Sequence, residues 1–273
     1  PGREIPVLGE YDVIVMGGGT AGAFAGIAAS RRGSRTLIIE QFGALGGSAT
    51  LGLVLPLMST HMPNYRGHCP LSAELVERLR AVGGVEDDDY YFDTAMMKVV
   101  LEDMAVESGC ALLYYTTLVD VVREGDTVTH VIVSNKDGLT AYAAKCFVDG
   151  TGDADLAKAA GVPYESGNHN RVNQPVSLRF EMAGIDFDRF HAFMRSLGNN
   201  AHKYFAMNTA GMKEVLQKAH DDGVLTGQDI CYFQALGIPG RPDAMNFYCP
   251  ELATKVDVVD PAFMTQKQIE GKK

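Results

Sequence analysis

Residues Tyr11–Met16 read YDVIVM, residues Gly17–Gly22 read GGGTAG, and residues Thr36–Glu40 read TLIIE. The first is a short apolar, β-branched run, followed at once by glycines and then by an alanine-rich stretch to Ser30. That order of residue types predicts a strand, a tight turn and a helix. Residues 31–35 (RRGSR) break the helix at Gly33, and Thr36–Glu40 is a second strand of the buried type, ending in a carboxylate. The unit is βαβ.

Gly17, Gly18, Gly19, Thr20, Ala21 and Gly22 satisfy G-x-G-x-x-G, and Gly26 extends the pattern by one more helical turn. The six-residue pattern gains its weight from context: a strand before it, a helix opening on it, and a second strand closing on an acid. Gly17 permits the tight turn, Gly19 lets the backbone approach a pyrophosphate, and Gly22 with Gly26 brings the helix close to the sheet. Amide N–H groups at the helix start then face the pyrophosphate. Glu40 stands where a carboxylate accepts both ribose hydroxyls and repels a 2′-phosphate, so FAD or NAD is favoured over NADP.

Further along, Gln41–Pro70 is an extended loop region with a short helix expected after Gly47. Helices are expected over Ser72–Ala81 and from the N-cap Asp93 to Ser108, with Gly109 as the residue that ends the second. Strands follow at Ala111–Tyr115, Val119–Arg123, Val128–Ser134, Thr140–Ala143 and Cys146–Asp149, the second and third joined by a hairpin turn at 124–127. They are expected to form a β-meander inserted between elements of a parallel sheet. After about Gly167, asparagine, histidine and aromatic residues become common, and amphipathic helices are expected at Phe187–Leu197 and Ala210–Asp222. The expected architecture is α/β: a Rossmann-like domain over 1–166 and a second, α+β domain over 167–273.

The bulk properties narrow the function. The chain has 273 residues, 46% of them apolar, enough for one large or two ordinary domains. A formal net charge of −10 repels a phosphate backbone and speaks against nucleic acid as partner. No apolar run reaches the roughly 18 residues of a membrane span, and the opening PGREIPVLGEYD has no signal-peptide character. A cytoplasmic protein is expected. The five cysteines (Cys69, Cys110, Cys146, Cys231, Cys249) are scattered without a CxxC pair and read as reduced thiols. The chain begins at Pro1 and stops at QIEGKK, from which an incomplete chain is expected.

Four stretches carry a likeness to a known family: EYDVIVMGGGTAGAFAGIAASRRG, LIIEQFGALGGSAT, YYTTLVDVV and AAKCFVDGTGDADLAKAAG. With them the chain resembles the FAD-dependent oxidoreductases of the glutathione-reductase-like superfamily, in particular the bacterial proteins with a GGxxT segment after the second strand. The last stretch resembles the second flavoprotein fingerprint, which a nicotinamide-only dehydrogenase does not need. The resemblance implies FAD as cofactor. It also implies that Thr151, Gly152 and Asp153 lie near the dinucleotide. Gln41, Gly46, Gly47, Ser48 and Thr50 would run from the ribose beside the pyrophosphate toward the isoalloxazine, and Leu118 would offer its backbone to the adenine. Residues 1–166 are then the FAD-binding domain and 167–273 the substrate domain, entered through NQPVSL at 173–178. Members of the superfamily return after the substrate domain to a final flavin-domain segment that is not seen here, so a second polypeptide supplying it is one expectation.

A flavin supplies the hard chemistry, leaving the protein to position a substrate and handle one proton. His61 is the candidate proton-handling residue, since its loop follows the GGSAT segment, and the weighed alternative is a hydrogen-bonded loop histidine. Arg171 and Arg179 are candidates to clamp a substrate carboxylate, against the alternative of ordinary ion pairs. His169, His191, His202 and His220 are too scattered for a metal, and the acidic run 86–89 lacks the spacing of a calcium loop. The expected function is hydride transfer between a small organic substrate and flavin N5. Two other readings stay open: an NAD-dependent dehydrogenase, and a non-catalytic flavin- or nucleotide-binding subunit of a larger complex.

Overall fold

The computed structural model describes residues 4–57, 69–86, 91–170, 172–200, 204–206, 211–227, 229–253 and 258–272, with only the backbone at 204, 206 and 253. Contacts within the chain divide it into two units, Pro1–Tyr164 and Glu165–Lys273.

The first unit is built on a six-stranded sheet. Strand β1 (Val7–Met16) runs parallel to β2 (Thr36–Ile39) on one side and to β6 (Gly138–Asp149) on the other. Strand β3 (Ala111–Leu113) adds to β2 in parallel, while β4 (Thr117–Glu124) and β5 (Thr127–Asn135) continue antiparallel beyond β6. The order is β3-β2-β1-β6-β5-β4.

Helix α1 (Thr20–Arg31) connects β1 to β2 and turns Gly22, Ala23, Gly26 and Ile27 inward. Helices α2 (Pro70–Ala81) and α3 (Thr94–Glu107) pack on the same side of the sheet. There Val15, Ala23, Ile27 and Ile38 meet Leu79, Leu101 and Met104 in one core. On the opposite face Ile14, Met16, Leu37 and Ile39 pack with Val131, Val133 and Leu156 of the short helix α4 (Asp155–Ala159). Both faces are covered where β1 and β2 run side by side, which is why residues 13–16 and 37–39 read as unbroken apolar runs. Each fully buried isoleucine among them contributes roughly 1.5–3 kcal/mol.

Several expectations are corrected. Strand β2 ends at Ile39, so Glu40 is the first residue beyond it. The strand expected to Tyr115 stops at Leu113, because Tyr115 takes a left-handed φ of 53° that no strand tolerates. The strands expected at Thr140–Ala143 and Cys146–Asp149 are one, β6, held continuous across Ala144 and Lys145 by pairing with β1. The meander enters where expected, between elements of the parallel sheet: β4 and β5 follow β3 in the chain, extend one edge of the sheet, and lead into β6, the parallel neighbour of β1. The 3-10 turn Gly47–Ala49 matches the short helix expected there, and helix α2 begins at Pro70 rather than Ser72. Asp93 caps α3 as expected, accepting the amides of Ala95 and Met96.

The second unit carries a four-stranded antiparallel sheet in the order β7-β10-β9-β8. Its strands are β7 (Val176–Met182), β8 (Tyr204–Ala206), β9 (Gln234–Ile238) and β10 (Arg241–Ala253). Helices α5 (Phe187–Ser196) and α6 (Met212–Asp221) set Met194, Met212 and Leu216 against Phe205, Ala235 and Met245. On α6 most of the remaining residues are polar, the pattern of a helix with one buried stripe, while α5 adds Phe187 and Phe190 to the packing. Helix α7 (Pro261–Glu270) follows an Asp260 cap. No helix among the described residues is long and apolar enough to cross a membrane.

Candidate functional site

The parallel strands end level with one another: Met16 pairs with Ile39 on one side and Asp149 on the other, and Ile39 with Leu113. The loops that leave these ends converge at one edge of the sheet, the place where open α/β sheets take their ligands. There they enclose a cleft of about 850 Å³.

One wall is the first glycine turn. Gly17 has a φ of 87°, and a Cβ on it would lie 2.4 Å from the carbonyl oxygen of Gly150, so only glycine serves. A Cβ on Gly22 would lie 1.9 Å from the Gly17 oxygen, and one on Gly26 2.5 Å from Ile38 Cδ1. Helix α1 can therefore sit against β1 and β2 only as long as these positions stay bare. No side chain caps its first turn, and no acidic residue stands there. Its first amides are left for an anion, in a cleft whose size suits a cofactor.

Glu40 forms part of the floor and is 6% exposed. Its Oε2 accepts the Gly18 amide at 2.7 Å and its Oε1 the Phe42 amide at 2.9 Å. Each carboxylate oxygen has more than one acceptor position, so both remain able to take a sugar hydroxyl. The far wall is a second glycine turn, which leaves β6 at Gly150 and donates its amide to Met16 O at 2.7 Å. Asp149 opens that turn. Burial disfavours its charge, yet Thr151 Oγ1 and the amides of Thr151, Ala157 and Leu156 outweigh this and hold its carboxyl below the usual range.

Of the residues singled out in the sequence, Gly17, Gly19, Thr20, Ala21, Glu40, Gln41, Gly47, Ser48, Leu118, Thr151 and Gly152 line this one cleft. Gly18, Gly22, Gly46, Thr50 and Asp153 are not among its lining residues. Thr50 is fully buried and donates its hydroxyl to Leu45 O at 2.6 Å, and Gly46 takes a φ of 102°. Both shape the loop from behind. Arg179 lies on β7, donating to Asn246 Oδ1 at 2.9 Å and standing 4.5 Å over the Tyr248 ring. His61 and Arg171 lie outside the described residues.

The sequence reading missed Phe42, Leu51, Thr116, Thr117, Asp149 and Asp155, all in the lining. Thr116 was within reach of inference. Its amide bonds Glu40 O at 3.1 Å because the end of β3 lies beside the end of β2, a neighbourhood that a parallel sheet dictates.

The family model described as "FAD dependent oxidoreductase" matches residues 12–273. A dihydrolipoyl dehydrogenase of Trypanosoma brucei brucei is 41% identical over 64 residues, 22% of this chain and 13% of that protein. A thiamine thiazole synthase of Sulfolobus acidocaldarius is 28% identical over 166 residues, 55% of this chain and 59% of that protein. A geranylgeranyl bacteriochlorophyll reductase-like protein of Thermoplasma acidophilum shares the fold, with a TM-score of 0.57 at 14% identity, over 96% of this chain and 60% of that one. The chain thus spans less than two thirds of each of these proteins. With all but the first eleven residues inside the matched span, the chain belongs to the family of FAD-dependent oxidoreductases, and FAD is its cofactor.

Proposed function

We propose that this chain exchanges a hydride between a small organic substrate and the N5 atom of FAD, in the cytoplasm. In this reading residues 1–164 hold the cofactor and residues 165–273 hold the substrate. The observation that supports it is the meeting of two glycine turns and a buried carboxylate around one cleft at the ends of the parallel strands.

Bound FAD supplies a ring that accepts or gives two electrons, chemistry that no side chain offers. The chain's own part is binding, orientation and proton handling. The bare first turn of α1 takes the diphosphate, and Glu40 takes the ribose hydroxyls with the acceptor capacity its two amide bonds leave. Gln41, Gly47 and Ser48 would follow the cofactor from ribose toward the ring, with Gly46 and Thr50 shaping their loop from behind. Leu118 would offer its backbone to the adenine, and Thr151 and Gly152 would close the opposite side. Arg179, with Arg171, holds a substrate carboxylate, as a guanidinium does through paired N–H donors. His61 moves the substrate proton.

The test begins with the purified protein, which should carry a visible flavin band and one FAD per chain. Mixing it without oxygen against a panel of small hydroxy and unsaturated carboxylic acids should bleach the oxidised flavin, or restore it after chemical reduction, with at least one of them. A chain that takes up no FAD sinks the reading. A chain that binds FAD but turns over only after a second polypeptide is added supports a cofactor-carrying subunit instead.

A further inference from the structure

We infer that Asp149 is a positioning residue, which sets the second glycine turn against the first and so fixes the FAD cleft; this rests on the reading that the cleft takes FAD. Asp149 is the last residue of β6, level with Met16 of β1. Its Oδ1 accepts the Thr151 amide at 3.0 Å and the Thr151 hydroxyl at 2.7 Å, and its Oδ2 accepts the Ala157 amide at 2.9 Å. The Thr151 hydroxyl in turn accepts the Asp155 amide at 2.9 Å. A single carboxylate thereby ties the beginning of the turn to its end, with Thr151 as the bridge.

The turn needs such a clasp. Ala154 takes a left-handed φ of 60°, a conformation that costs free energy in any residue with a Cβ and persists only where its surroundings over-determine it. Nothing lies within 4 Å of a Cβ built on Gly152, so packing does not hold the tip of the turn. The base of the turn is another matter: a Cβ on Gly150 would lie 2.7 Å from Gly17 O and 2.9 Å from Gly22 Cα. The two glycine turns touch through bare backbone, and a turn released from Asp149 shifts the surface that faces the first.

A purely structural cap on the short helix α4 would affect stability alone, so the test separates the two roles. The full chain is compared as wild type, Asp149→Asn, Thr151→Val and Thr151→Ser. The readouts are the FAD dissociation constant from flavin fluorescence, the visible circular dichroism of bound FAD, and the melting temperature of the apoprotein. In Asp149→Asn the amide nitrogen faces backbone N–H donors, and FAD affinity should fall about tenfold or more with an altered visible dichroism. Thr151→Val should weaken binding in the same direction, and Thr151→Ser, which keeps the hydroxyl, should restore it. Equal affinity and dichroism across all four proteins, even with lowered melting temperatures, overturn the proposal. So does a Thr151→Ser protein as weak as Thr151→Val. If Asp149→Asn fails to fold, the two Thr151 variants decide. A wild-type chain that binds no FAD overturns the cleft reading, and this proposal with it.

Discussion

The carboxylate of Glu40 accepts the backbone amide of Gly18 at 2.7 Å, so the residue that follows β2 is fastened to the middle of the first glycine turn. Its other oxygen accepts the Phe42 amide, leaving a glutamine in that place with one N–H group set against an N–H donor. Glu40→Gln should lower FAD affinity about tenfold, and Glu40→Ala by more. Fluorescence titration of the apoprotein with FAD reads both. Unchanged affinity in the two variants would mean that Glu40 does not bear on the cofactor.

Two glycines of the same βαβ unit should respond unequally to alanine. At Gly22 the added carbon meets backbone at 1.9 Å, and the expected cost is about 3 kcal/mol or more. At Gly33 no atom lies within 4 Å, and only the φ of 87° opposes the change, at roughly 1 kcal/mol. Urea denaturation of the two variants beside wild type should give that order, and the reverse order would contradict the tight packing of α1 on β1.

Asp93 caps α3 through the Ala95 and Met96 amides and is nearly fully buried. Asp93→Ala should cost about 1–2 kcal/mol, whereas Asp93→Asn keeps an acceptor oxygen and should cost less. A thermal melt of each variant checks the difference.

The depressed carboxyl of Asp149 also predicts a pH dependence. Its folded-state pKa lies below the unfolded value, so its contribution is present above the unfolded pKa and fades as pH falls through the folded one. Between those values the unfolded chain binds more protons, and stability rises with pH. Asp12, Glu74 and Glu107 are lowered as well and add slopes of the same sign. Asp149→Asn should therefore lose less stability than wild type between about pH 5 and pH 3. Urea midpoints across that range measure it, and parallel curves would count against the assignment.

What the sequence disclosed and what it withheld divide along physical lines. The strand, turn and helix of residues 11–31 were legible because each is a local pattern: β-branched residues, then glycines, then alanines. The Asp93 cap was legible for the same reason. Strand β6 looked broken because Ala144 and Lys145 carry no apolar alternation. Its continuity comes from backbone pairing with β1, between residues far apart in the chain. Asp149 read as a mere strand end, since its four donors gather only when the turn has folded back to Ala157. Phe42 and Thr116 entered the cleft through the neighbourhood of strands, which no single segment encodes.

Because Gly150 rests on Gly17, the ligand's two banks are laid down at opposite ends of the first unit, one early in synthesis and one late. A nascent chain emerging from the ribosome can form the opening βαβ hand but has nothing to close it until β6 arrives and pairs with β1. That long-range closure is entropically slow, so FAD can reward only the nearly finished unit and cannot template its beginning.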